Sequence, residues 1–309
     1  MSDEPVTLHH YTTAAGLLGI LEPVYLSSIW EAEEEFKDLP REQSFSLWAT
    51  DARYLNDWGE LDFAAAALAS AIDARLDDVE PERRDSLVTL AAQLRQHDYT
   101  ADVHWTRGGV HAAYITCFCE EGDLLGQWQG YAANGGGYSL EFHTEELKQM
   151  WGPFMSDSRE EFAYNQGTIL RPINYGLDEG AFAAAAAAAE IVESSDDYAM
   201  FMCVHTLVQF KDDAFSAERE WRAINVVPES QMFCKFRTTL NGRVIPYSRF
   251  FRLQTGAPFD PAEARSAIKS VKVGPGLDQK LRAEAVRKLL DQRGFQDTEV
   301  TTSKITYNP

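Results

Sequence analysis

Phe215-Ser216-Ala217-Glu218-Arg219-Glu220-Trp221-Arg222 runs directly into the apolar stretch Ala223, Ile224, Val226 and Val227. Read as a strand, the segment sets Glu218, Glu220 and Arg222 on one face and Ala217, Trp221 and Ala223 on the other, because strand side chains alternate. Two acids and a base then project together from the mouth of a buried strand.

Upstream, Ile169 to Tyr175 is extended, and Pro172 within it points to a position near a sheet edge. Downstream, Phe233 to Ile245 reads as a strand pair turning at Asn241-Gly242. Val6 to Tyr11, Ser44 to Trp48, Tyr138 to Phe142, Ile268 to Val273 and Val300 to Tyr307 add further strands. Tyr114 to Phe118 is apolar on both faces, as a central strand is. Leu17, Leu18, Ile20 and Leu21 form a helical face behind a cap at Thr12 or Thr13.

Asp57 and Glu60 fit a capping box for a helix carrying Leu61, Ala65, Leu68, Ile72 and Leu76. A second helix from Pro81 to Gln96 presents Leu87, Leu90, Ala91 and Leu94. Phe182 to about Gln209 forms another helical block that contains an alanine tract, and a helix capped at Asp278 stops at Gly294. No linker and no internal repeat divides the 309 residues. The expected fold is α+β: a single domain over 1–309 with a mixed, mainly antiparallel sheet core and helical insertions at about 57–105 and 178–210.

Composition is that of a globular chain, 45% hydrophobic and 25% charged. The formal net charge of −20 repels phosphate backbones on average, so a broad nucleic-acid footprint is not expected. The four cysteines have neither disulfide-framework nor zinc spacing, and no metal constellation emerges. Met1 to Thr7 is acidic and polar, unlike a signal peptide, and no apolar run approaches the ~20 residues of a membrane span. A cytoplasmic protein without a membrane partner is therefore expected. P-loop, dinucleotide-fold and nucleophile-elbow motifs are absent.

The chemistry-bearing candidates are few. Glu218 and Glu220 are either surface acids balanced by Arg219 and Arg222 or a pair that stabilises a cationic transition state. His10 and Thr12 close the first strand; they cap strand and helix, or hold a ribose or an amide by hydrogen bonds. Trp128 and Tyr131 have core spacing, although Gly135 to Gly137 beside them allows close approach of a ligand.

Two resemblances follow from these residues. His10-Tyr11-Thr12, Leu55-Asn56-Asp57 with Glu60, Cys117-Phe118, Trp128 with Tyr131, and Glu218-x-Glu220-Trp221-Arg222 occur in the order seen in an uncharacterised bacterial family, domain of unknown function 2971. On these residues nearly the whole chain resembles that family, a label that supplies no activity. The second resemblance is to ADP-ribosyltransferases, in particular the DarT-like toxins, which join an early His-x-Thr to a later Glu, often within E-x-E.

This second resemblance implies an ADP-ribosyltransferase fold and NAD as substrate, with no metal. Glu220 would be the catalytic acid, supported by Glu218. His10 and Thr12 would hold ribose and amide, Tyr11 or Tyr131 would stack on nicotinamide, and Arg222 would contribute to NAD binding. A carboxylate suits this chemistry because cleavage of the nicotinamide–ribose bond builds an oxocarbenium-like cation.

The expected activity is transfer of ADP-ribose from NAD to a macromolecule, protein or nucleic acid, as in a toxin or phage-defence effector. The alternative is a non-enzymatic nucleotide- or peptide-binding sensor that works with a defence-system partner protein. A metal-independent nuclease or hydrolase using His10 with Glu220 ranks third.

Overall fold

Alternation of apolar and polar residues builds the first sheet. In β1 (Thr7–Thr12) Leu8, His10 and Thr12 share one face, and His9 and Tyr11 the other. β6 (Tyr138–His143) pairs antiparallel with β1, Leu8 opposite Phe142 and His10 opposite Leu140. β14 (Ile268–Val273) pairs with the other edge of β6, with a bulge between Ile268 and Ser270 that brings Val271 opposite Leu140. Leu8, Leu140, Phe142, Val271 and Val273 are fully buried, and they define the apolar face.

These strands belong to a computed structural model that describes residues 5–22, 24–25, 42–43, 45–55, 59–78, 80–96, 111–133, 136–152, 168–176, 205–228, 235–239, 242–252 and 267–307. Contacts group the chain into two compact units. One comprises Met1–Trp48, Thr116–Gly152 and Arg249–Pro309; the other comprises Ala49–Ile115 and Pro153–Ser248. The boundaries fall inside β4 (Leu47–Asp51), β5 (His111–Cys119) and β13 (Val244–Arg252), so no linker composition marks them.

The architecture is mixed α/β with mainly antiparallel pairing and several helices. Parallel pairs occur where β14 meets β15 (Glu299–Thr302) and where β9 (Asn174–Tyr175) meets β10 (Phe210–Lys211). Small antiparallel pairs join β2 (Val24–Tyr25) to β3 (Glu42–Gln43), and β7 (Met150–Trp151) to β13.

In the first unit α1 (Ala14–Ile20) follows β1 and buries Leu17 and Ile20. Thr13 rather than Thr12 caps it, its hydroxyl accepting from the Gly16 amide at 3.1 Å. α4 (Leu125–Tyr131) packs Trp128 edge-on against Tyr11. α5 (Thr144–Leu147) is a single turn after β6. The crossover between the parallel β14 and β15 is α6 (Gln279–Gln292), which buries Val286 and Leu290.

In the second unit α2 (Glu60–Asp73) and α3 (Pro81–Arg95) form the expected hairpin. Ala64, Ala65, Leu68 and Ile72 pack with Leu87, Leu90 and Leu94, and with Leu207 and Phe210. β8 (Ile169–Pro172) pairs antiparallel with β11 (Glu220–Pro228), and β12 (Lys235–Thr238) pairs with β13. Pro172 ends β8; Ile173 N still donates to Glu220 O at 2.9 Å, and Asn174 N then donates to Gln209 O at 2.9 Å. The proposed cap Asp57 and most of the 178–210 insertion lie outside the described residues.

Of the glycines from 135 to 137, Gly135 lies outside the described residues and Gly137 serves the fold. A Cβ on Gly137 would lie 2.3 Å from the Thr12 carbonyl oxygen and 2.8 Å from Ala132 Cβ, so only glycine lets the chain pass there. Gly137→Ala is expected to cost about 1–3 kcal/mol through this overlap. Urea unfolding checks it, and an unchanged midpoint would refute the packing account.

Candidate functional site

β11 carries the second unit's charged cluster, but strand alternation is not what gathers the acids. Glu218 ends a 3₁₀ turn, Asp213–Glu218, and the strand begins only at Glu220. Between them Arg219 adopts the left-handed conformation, φ 44° and ψ 53°, which reverses the chain locally. That reversal, rather than a shared strand face, lets both carboxylates reach one lysine.

The lysine is Lys211 of β10, with only 2% of its side chain exposed. Its Nζ lies 2.7 Å from Glu218 Oε2, 3.1 Å from Glu220 Oε2 and 3.0 Å from Glu60 Oε1. An ammonium has three protons, and three carboxylates surround this one. Phe215 adds its ring face 4.8 Å from Nζ.

Arg222 completes the cluster. Nε donates to Glu220 Oε1 at 2.6 Å, and Nη2 donates to Glu220 Oε2 at 3.1 Å and to Glu60 Oε2 at 2.6 Å. Nη1 donates to the Val208 carbonyl at 2.9 Å. The planar guanidinium fork suits this multidentate pairing better than a lysine would. Glu60, which the capping-box reading places at a helix start, instead turns inward from the first position of α2 and meets a residue 162 positions away.

Exposure separates the acids. Glu60 and Glu220 are 5% and 6% exposed, whereas the Glu218 side chain is 22% exposed and stands at the rim. Burial raises the Glu218 pKa above the ordinary carboxylate range; the Lys211 bond opposes the rise, and the charges of Glu220 and Glu60 add to it. Tyr175 also reaches the rim, its Oη accepting from the Glu220 amide at 2.7 Å.

The other candidates lie in the first unit, apart from Arg222, which is fully engaged in the cluster. His10 Nδ1 pairs with the Cys117 carbonyl at 2.8 Å, and its ring tilts against Phe118. The Thr12 hydroxyl occupies the notch left by Gly16, where a Cβ would come within 1.9 Å of it. Tyr11 projects from the opposite face of β1 and is buried against Trp128; its hydroxyl donates to Glu121 O and accepts from Leu124 N. Tyr131, 36% exposed, ends α4.

Sequence reasoning missed Glu60, Lys211 and Tyr175 as members of the cluster. Glu60 left a signal: it lies four and eight residues before Ala64 and Leu68, on the buried side of α2. Lys211 and Tyr175 left none, because β9 and β10 are short and pair through tertiary contact. Among the described residues no group of three or more His, Cys, Asp or Glu could hold a metal ion, and no helix is long and apolar enough to cross a membrane.

Residues 127–223 match a family described as a protein of unknown function, DUF2971. The match takes in Trp128, Tyr131 and Glu218 to Arg222 and leaves out His10 to Thr12, Leu55 to Glu60 and Cys117-Phe118. The resemblance is thus confined to this segment and does not run through nearly the whole chain. No curated protein and no solved structure matches the chain.

Two stability outcomes follow from the cluster. Arg222→Met leaves Glu60 and Glu220 buried without their main partner and is expected to cost about 3–5 kcal/mol in urea unfolding. Glu218→Gln has the opposite sign. A carboxyl whose folded pKa is raised contributes stability below its unfolded pKa, and that contribution is lost as pH rises through the folded value. The variant is therefore expected to gain in Tm relative to the wild type as pH rises from 4 to 7.5, and a growing deficit would contradict it.

Proposed function

We propose that this chain cleaves the nicotinamide–ribose bond of NAD and transfers ADP-ribose to a macromolecule, as the E-x-E resemblance implies. In this reading the two acids exchange roles. Glu218 is the catalytic carboxylate that meets the ribose, and Glu220 is a positioning residue that fixes Lys211 and Arg222.

One observation carries this reading: a partly exposed carboxylate with a raised pKa is held at the rim of a buried ion cluster at 2.7 Å from Lys211. Sites that stabilise developing charge hold their groups preorganised in surroundings of low polarity. The oxocarbenium-like transition state is positive, and a carboxylate at the rim offsets that charge or orients a ribose hydroxyl. Lys211 and Arg222 keep the buried acids in place, so Glu218 meets the substrate without rearrangement of the cluster.

NAD fits the groups present in one respect: ribose hydroxyls need both acceptors and donors, and Tyr175 lies near enough to Glu218 for its charge to act on the phenol. The assignments of His10, Thr12, Tyr11 and Tyr131 to NAD rest on the resemblance alone.

Nicotinamide release from NAD tests the reading. The wild type is expected to release nicotinamide at a rate that rises with pH as Glu218 ionises, with its midpoint above the ordinary glutamate range. Glu218→Gln, which keeps the fold, is expected to lose on the order of 100-fold or more. A wild type that releases no nicotinamide, or a folded Glu218→Gln protein with full rate, overturns the proposal; NAD binding without release favours the sensor instead.

A further inference from the structure

The cluster has a second group at its rim whose bond to a ligand the transferase reading leaves open. Tyr175 lies directly opposite Lys211 in the parallel pair of β9 and β10. Its oxygen accepts the Glu220 amide proton at 2.7 Å, which orients the phenol toward the start of β11. Burial, and then the nearby charges of Glu220 and Glu218, keep the phenol protonated well above its ordinary pKa. The oxygen thus uses one lone pair, and among the described residues no acceptor takes its proton.

We infer that Tyr175 is a ligand-binding residue that donates its phenolic proton to a hydroxyl of a bound ribose, while that hydroxyl donates to Glu218. A hydroxyl is both donor and acceptor, so a neutral phenol beside a carboxylate satisfies both of its capacities. The Lys211 ammonium cannot replace Tyr175, because three carboxylates already surround it. The identity of the ligand as NAD rests on the transferase reading; the hydroxyl-binding role of Tyr175 rests on the rim geometry.

A comparison of protein and ligand deletions tests the role. NAD and its analogues lacking the 2′- or the 3′-hydroxyl of the nicotinamide ribose are titrated calorimetrically into the wild type and Tyr175→Phe. One analogue is expected to bind the wild type on the order of tenfold more weakly than NAD, the worth of one hydrogen bond. In Tyr175→Phe that difference is expected to shrink, the bond to Glu218 remaining, which a purely structural role of the phenol would not produce.

Equal binding of all three ligands by the wild type overturns the inference, and so does full discrimination by Tyr175→Phe. If the variant fails to fold, the wild-type comparison decides. Discrimination without nicotinamide release upholds Tyr175 and sinks the transferase reading; release without discrimination does the reverse. A wild type that binds neither NAD nor ADP-ribose overturns both.

Discussion

Arg222 is held between Glu60 and Glu220, and the second unit depends on that interaction. Taking three such ions out of water costs several kcal/mol each, and only near-complete pairing offsets the cost. The pairing here is close to complete: four donated bonds from Arg222 and three carboxylates around Lys211. Because Glu60 begins α2, Lys211 lies on β10 and Arg222 on β11, the charges fix three elements to one another. An apolar cluster of the same volume would hold them too, but it would not dictate which residues meet. Charge pairing makes the arrangement specific.

Burial is the main cause of the raised Glu218 pKa, and the cluster adds to it. Lys211 is shared among three acids, so Glu218 receives only part of its compensation. Glu220 and Glu60 push back from behind. A residue placed where its charged form is disfavoured costs stability, and such positions concentrate where chemistry needs a tuned group. The left-handed Arg219 belongs to the same economy: its conformation is disfavoured for a side-chain-bearing residue, and it is what delivers Glu218 to the lysine.

The first unit is organised by a different constraint, the close approach of backbones. Gly16 makes room for the Thr12 side chain, and Gly137 makes room for the Thr12 carbonyl. The end of β1 is therefore packed from two sides, which gives His10-x-Thr12 a full structural account of its spacing. Tyr11 illustrates the strand rule in the same place. It lies on the face opposite His10 and Thr12 and joins Trp128 in the core.

By itself the sequence determined the elements whose periodicity is local. The alternation of β1, β6 and β14, the leucine faces of α2 and α3, and the antiparallel pairing of β12 with β13 were legible because each signal lies within a few residues. Glu218, Glu220 and Arg222 were legible as a charged group at the start of a buried strand. Only the tertiary structure decided what they meet. Glu60 is 162 residues from Arg222, and the parallel pairing of β9 with β10 that sets Tyr175 opposite Lys211 has no local signature. That Glu220 is buried while Glu218 stands partly exposed was likewise hidden, because burial comes from how distant segments pack.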